Sequence, residues 1–208
     1  MTRADRLHAL DQLAQRWARQ PEIDAARDGK RLVLGSGNPE ARLVLIGEAP
    51  GAQEDRAGKP FVGPAGKLLD AALTDAGLTR DEVWITNVVK FRPTSPGVGR
   101  GLKNRAPTRA ESALFLPWLE DELDVIAPKA LVCLGATAAQ AVIGAPLKIL
   151  SQRGQWFTGR EGRPCMATYH PAFLLRRTTD YDARFAEFVD DLATAGAFAK
   201  ADEPTLPS

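Results

Sequence analysis

Apolar residues follow two periods along this chain. Three short runs are almost wholly apolar: Arg42 to Ile46, Val83 to Val89 and Ala130 to Leu134. Continuous apolar runs of this length read as strands buried on both faces, the pattern of a parallel sheet. Between and around them apolar residues recur every three to four positions, the period of an amphipathic helix. Residues 4–19 place Leu7, Leu10, Leu13, Ala14 and Trp17 on one face, with Pro21 ending that helix. The spacing predicts further helices over 65–76, ending at Gly77, over 108–126, over 136–143 and over 182–198. In the third, Thr108 and Glu111 have the spacing of a capping box ahead of the stripe Leu114, Phe115, Trp118, Leu119 and Leu123. In the last, Phe185, Phe188, Val189 and Leu192 share a face. Arg31 to Leu34 reads as a further short strand and Gly35 to Pro39 as a turn. Residues 79–82 form a short helical turn, and 151–157 with 163–169 are two arms around a glycine-rich turn. Strands alternating with helices give an α/β domain.

Composition narrows this little. The 208 residues suit one domain over 1–199, with 200–208 reading as a disordered tail, and no internal repeat is visible. The formal charge is only +1, so any polyanion site is a local basic patch. The two cysteines, Cys133 and Cys165, sit in apolar strand-like runs and read as small buried hydrophobes. The charged opening is not a signal peptide, and no apolar run is long enough to span a bilayer, so a cytoplasmic protein without membrane contact is expected.

The chemistry gathers in loops that leave strands at their carboxyl ends, where open α/β sheets bind ligands. Gly47 to Phe61 holds Glu48, Glu54 and Asp55, several glycines, Pro50 and Pro60, and a terminal aromatic. Such a loop surrounds a flat polar ligand and sets carboxylates beside it. Asn87 interrupts an apolar strand, where an amide needs partners: local backbone, or a ligand edge that it meets with a donor and an acceptor. Residues 92–107 carry Arg92, Arg100, Lys103 and Arg105 and no acid, either as a solvated loop or as a phosphate-facing patch. Gly135 opens a helix whose bare amides could meet an anion. His170, one of two histidines, ends a strand and is followed by Pro171 and exposed leucines.

These motifs resemble the uracil-DNA glycosylase superfamily, nearest to its family 4 and the mycobacterial-type cross-linking enzyme. The residues carrying the resemblance are Gly47-Glu-Ala-Pro-Gly51 with Glu54-Asp55, Pro60-Phe-Val-Gly63, Thr86-Asn-Val-Val-Lys90, Leu134-Gly135, Arg153-Gly154 and Tyr169-His-Pro-Ala-Phe-Leu-Leu-Arg176, in the family's order across roughly residues 31–177. The resemblance implies a three-layer α/β/α sandwich with a short, mainly parallel central sheet. It implies a monomeric, monofunctional hydrolase that flips uracil out of single- or double-stranded DNA and cleaves its glycosidic bond. Phe61 would stack on the base, Asn87 would read its polar edge, and Ala49 and Gly51 would line the pocket. His170 would donate to the departing uracil anion. Glu48 is the first candidate for the catalytic carboxylate and Glu54 the second. Leu174 matches the wedge that fills the gap left by the base. Ala136 through its amide, Arg176, and Arg100, Lys103 and Asn104 of the basic loop would hold DNA.

Two departures qualify what is implied. Family 4 carries an iron–sulfur cluster on four cysteines, and those positions fall here on Trp17, Gln20, Phe91 and Phe115. A cluster needs thiolates, so no cofactor is expected and an apolar plug should fill the volume. The cross-linking enzyme traps the sugar on a histidine, whose place is taken by Asn104. A neutral amide is a poor nucleophile, so no covalent DNA product is expected. The same departures leave open a binding protein that recognises damage without cleaving. Ala49 and Gly51 leave open a glycosylase for another deaminated base, hypoxanthine or xanthine.

Overall fold

The alternation of apolar strands and amphipathic stripes builds one sheet with helices on both faces. A computed structural model describes residues 1–97, 101–176 and 179–202. In chain order the elements are α1 (Arg3–Ala18), α2 (Pro21–Arg27), β1 (Ser36–Gly37), β2 (Leu43–Gly47), α3 (Ala52–Ala57), α4 (Pro64–Asp75), β3 (Trp84–Asn87), β4 (Thr94–Pro96), β5 (Leu102–Asn104), α5 (Arg109–Ile126), β6 (Ala130–Leu134), α6 (Ala136–Ile143), α7 (Ile149–Gln152), β7 (Trp156–Thr158), β8 (Pro164–Thr168), α8 (Pro171–Leu174) and α9 (Tyr181–Lys200). Two 3-10 turns, Arg80–Glu82 and Arg160–Gly162, complete the set.

The main sheet has the order β1-β3-β2-β6-β8-β7. Its four inner strands are parallel, and the short edges β1 and β7 are antiparallel to their neighbours. Every residue of β2 and β6 is buried, and alternation divides them. Val44 and Ile46 face a cluster with α1, α2, α5 and α6, while Leu43 and Leu45 face one with α4 and α9. Period two therefore makes one strand serve two cores.

Several expectations are corrected. Pro21 does not merely stop a helix: it opens α2 from its first position, where its missing N–H costs nothing. Residues 31–34 form no strand; Val33 N–H donates to Lys90 O at 2.6 Å, and the edge strand is Ser36–Gly37. The loop 47–61 contains α3, and the basic stretch after β3 contains the β4–β5 hairpin, paired Thr94↔Asn104 to Pro96↔Leu102. The arm over 151–157 is split between α7 and β7. Thr108 caps α5 as the spacing predicts: its hydroxyl accepts from Glu111 N–H at 3.1 Å, and Glu111 accepts from Thr108 N–H at 2.7 Å.

Three of the four positions noted above for the cluster cysteines meet in one aromatic column. Trp17 and Trp118 stack with centroids 6.0 Å apart, Trp118 and Phe115 with 5.9 Å, and Phe115 meets Phe91 at 5.6 Å in a tilted pair. The column joins α1 to α5 and to the segment after β3. The fourth position, Gln20, is exposed before α2. Removing the fully buried Phe115 ring leaves a cavity, so Phe115→Ala should cost about 3–5 kcal/mol, read from urea unfolding. A loss below about 1 kcal/mol would show that the column is not a core.

Candidate functional site

The site begins with strand register. Gly47 of β2 pairs with Asn87 of β3, and the ladder continues past both strands: Val88 N–H donates to Gly47 O at 2.9 Å and Val89 N–H to Glu48 O at 3.1 Å. Two strand ends carrying polar side chains are thus locked side by side. Gly47 itself must lack a side chain. A Cβ there would lie 2.4 Å from Asn87 Oδ1 and 2.6 Å from the Phe61 ring.

Around this point lies a cavity of about 700 Å³ lined by Glu48, Ala49, Gly51, Glu54, Phe61, Asn87, Asn104, His170, Leu175 and Arg176, among others. The structure therefore brings together most of the residues singled out in the sequence. Their states differ in ways the sequence did not indicate. Asn87 is 2% exposed, yet its side-chain amide has no hydrogen-bond partner among the described residues. Glu48 likewise has a carboxylate without a protein partner among the described residues. The Phe61 ring lies 5.9 Å from the His170 ring, centroid to centroid, tilted by 35°.

His170 caps α8. Its Nδ1 accepts from Ala172 N–H at 3.1 Å. With Nδ1 accepting, a neutral ring carries its proton on Nε2. Burial lowers the pKa of the ring to about 4, opposed by the nearby Glu54 carboxylate. The ring is therefore neutral at pH 7, with Nε2–H its remaining donor. Gly135 backs it: a Cβ there would approach His170 Cβ to 3.0 Å.

Glu54, the second candidate carboxylate, is tied to the backbone of its own loop. Its Oε1 accepts from Val62 N–H at 3.0 Å and Gly63 N–H at 2.8 Å, and its Oε2 from Gly51 N–H at 3.2 Å. A carboxylate committed to three backbone donors shapes the loop. The two leucines at the wedge position differ in exposure. Leu174 is 3% exposed and packs in the core, whereas Leu175 is 41% exposed and lines the cavity. One turn of α8 turns the first leucine inward and the second outward, a distinction that adjacent identical residues hide.

The anticipated DNA contacts divide. Arg176 and Asn104 line the cavity, and Asn104 Oδ1 accepts from Arg92 Nε at 2.7 Å. Lys103 is exposed on the hairpin, outside the lining. Ala136 is exposed at the start of α6 and also outside the lining. Arg100 lies outside the described residues. Arg105 is held by Glu111 through two bonds of 2.7 Å, and this pairing draws the Glu111 carboxyl down to about 2.

Beneath Asn87 is a buried charged network that the sequence reading missed. Lys90 Nζ donates to Asn87 O at 2.8 Å and Thr86 Oγ1 at 2.6 Å, and pairs with Glu122. Glu122 also accepts from Trp84 Nε1 at 2.9 Å and Thr86 Oγ1 at 3.0 Å. Desolvation pushes Lys90 below the usual lysine range, against the pull of Glu122. The signal in the sequence was a lysine directly after a run of apolar strand residues.

The residues do not fit an iron–sulfur cluster. Aromatic rings fill three of the four positions, and both cysteines are buried in the sheet, where burial pushes the Cys165 thiol up to about 12 and Cys133 upward as well. Among the described residues no group of three or more His, Cys, Asp or Glu side chains could hold a metal ion.

With this geometry in hand, comparison with known proteins is informative. A model of the uracil DNA glycosylase superfamily matches residues 34–193. The chain is 37% identical over 170 residues to a type-4 uracil-DNA glycosylase of Thermotoga maritima, covering 81% of this chain and 83% of that protein. It is 34% identical over 207 residues to a type-4 uracil-DNA glycosylase of Archaeoglobus fulgidus, covering 96% and 98%. The crystal structure of Pedobacter heparinus SMUG2 superposes with a TM-score of 0.56 over 76% of this chain and 75% of that one, at 16% identity, a likeness of fold alone. A family match over most of the chain, with relatives at this identity and coverage, settles the family: the chain belongs to the uracil DNA glycosylase superfamily.

Proposed function

We propose that this protein excises uracil from DNA by hydrolysing the N-glycosidic bond of a flipped nucleotide, acting as a monomer in the cytoplasm and without a cofactor. The observation that carries the reading is the Asn87 amide, which lines the cavity with no hydrogen-bond partner among the described residues, in the same cavity as the neutral His170 ring. Buried polar groups normally find partners. An amide held ready with one acceptor and one donor suits the N3–H and O4 edge of uracil and mismatches cytosine, whose N3 accepts and whose N4 donates. The Phe61 ring supplies a flat apolar face for the base.

As the C1′–N1 bond breaks, the electron pair leaves on uracil and the sugar becomes cation-like. A donor aimed at O2 stabilises that anion, and His170 Nε2–H fills this role while neutral. Glu48 lines the same cavity with a carboxylate that has no partner among the described residues, which suits it to oppose the sugar's charge and to accept a proton from the attacking water. Water then adds to C1′ and leaves an abasic site. Leu175 is the exposed apolar side chain positioned to occupy the space of the flipped base. Arg176 supplies positive charge at the cavity, and Arg92, bonded to Asn104 of the hairpin, supplies it beside the cavity.

The test is excision on labelled single-stranded and U:G duplex DNA in EDTA, followed by hot alkali and a denaturing gel. Strand cleavage at uracil with no retarded protein–DNA adduct is expected, since Asn104 is a neutral amide. Binding without cleavage would replace the proposal by a damage-recognition protein. His170→Ala should lower turnover by about 10²–10³-fold, the scale of losing one oxyanion-type donor. Full activity in that variant would remove His170 from the mechanism.

The neutral histidine also makes stability depend on pH. The folded-state pKa of about 4 lies below the ordinary 6.5, so the unfolded chain binds the extra proton between those values. The contribution is complete above pH 6.5 and is lost as pH falls toward 4. His170→Asn keeps an N-cap acceptor but cannot titrate. Urea unfolding from pH 7 to 4 should therefore fall more steeply for the wild type than for His170→Asn, and parallel slopes would show that the ring is not neutralised by burial.

A further inference from the structure

Phe61 has a φ of 51°, in the left-handed region. For a bulky side chain this is a backbone outlier, and such outliers persist where the surroundings over-determine them. Three features do so here. Arg80, in the 3-10 turn well downstream of the loop, reaches back with Nη2 to Pro60 O at 2.7 Å and with Nη1 to Phe61 O at 3.0 Å. Its guanidinium is oriented by Asp70 of α4, which accepts from Nη1 at 2.7 Å. On the carboxyl side of Phe61, Val62 N–H, in the same peptide unit as the Phe61 carbonyl, and Gly63 N–H, in the next, donate to Glu54 Oε1. Gly66 completes the enclosure: a Cβ there would stand 1.9 Å from Phe61 O. Carbonyls 60 and 61 are thus held by a cation and amides 62 and 63 by an anion, and the residue at the join is the strained one.

Arg80 and Asp70 do not line the cavity. We infer that Arg80, oriented by Asp70 and opposed by Glu54, is a positioning residue for base stacking: it holds Phe61 in the left-handed conformation that lays its ring over Gly47, between Asn87 and His170. With φ relaxed to negative values, the Cα–Cβ bond would point elsewhere and the ring would leave that place. The forked guanidinium suits the task because it spans two carbonyls and a carboxylate at once, which an ammonium cannot do in one plane. This inference rests on the stacking role proposed for Phe61.

The test compares Arg80→Ala, Arg80→Lys, Asp70→Asn and Phe61→Ala in single-turnover excision of uracil from single-stranded DNA, in affinity for abasic-site DNA, and in thermal unfolding. Arg80→Ala should slow excision by about 10–10²-fold, the scale of misplacing a reacting or binding group by about an ångström. Its affinity for abasic-site DNA should not change, because no base enters the cavity there. Arg80→Lys should fall between wild type and Arg80→Ala, and Asp70→Asn should lose less than Arg80→Ala. The inference is overturned if Arg80→Ala excises at the wild-type rate, or if its excision and abasic-DNA affinity fall together. Should Arg80→Ala not fold, Asp70→Asn and Arg80→Lys decide the matter on the same two readouts. Phe61→Ala separates the two levels. If it excises normally, the stacking role itself fails; if it is slow while Arg80→Ala is fast, the clamp alone fails.

Discussion

The parallel pairing of β2 with β3 is the constraint on which the site depends. Its register sets Gly47 against Asn87, and the continued ladder through Val88 and Val89 fixes the carbonyls of Gly47 and Glu48. A slip of one residue would turn every side chain of a strand to the other face. Asn87 would then leave the cavity, and an apolar neighbour would take its place. The absence of a side chain at Gly47 is part of the same constraint, since the space its Cβ would need is occupied by the Asn87 amide and the Phe61 ring. The Asn87 amide and the Phe61 ring thus converge on one glycine at one strand end.

That strand end is held from below by charge and from the side by aromatic packing. Lys90 and Glu122 are 0% and 3% exposed and tie β3 to α5 through Thr86, Trp84 and the Asn87 carbonyl. Burying such a pair is no route to extra stability, because desolvation offsets the attraction. What it supplies is direction: Trp84 and Thr86 of β3 and Lys90 just after it are aimed at one carboxylate. The same α5 carries Phe115 and Trp118, so the aromatic column and the ion pair act through a common helix on the segment that follows β3. Dispersion and apolar burial between rings hold this corner.

Electrostatics in the site are local. The chain carries a formal charge of only +1, so attraction for DNA comes from particular side chains. Arg105, which the composition of the basic loop would add to them, is spent on Glu111 and on the Thr94 carbonyl, where it closes the hairpin. Burial acts in the opposite sense on His170. It removes the charge that an exposed imidazole gains in mild acid and leaves a neutral donor, which Nδ1 orients by accepting from the backbone.

The sequence by itself determined the main buried strands and amphipathic helices and which side chains gather at one rim of the sheet. Fully apolar runs, helical stripes and the Thr108–Glu111 cap are written in local periodicity and capping chemistry, and loops at strand ends must gather at one rim of a parallel sheet. Glu48, Asn87, Phe61 and His170 were therefore legible before any coordinates. Tertiary structure decided what each group is free to do. Glu54 and Glu48 are six residues apart in similar surroundings of sequence, yet among the described residues three backbone amides bind the one and none the other. Leu174 and Leu175 are chemically identical, and only the docking of α8 separates core from rim. Arg80 lies far along the chain from Phe61, and its reach to two carbonyls arises only when α4 brings the turn back. Sequence records which hydrogen-bonding groups exist. Which of them are satisfied depends on distances between residues remote in the chain, and only folding sets those distances.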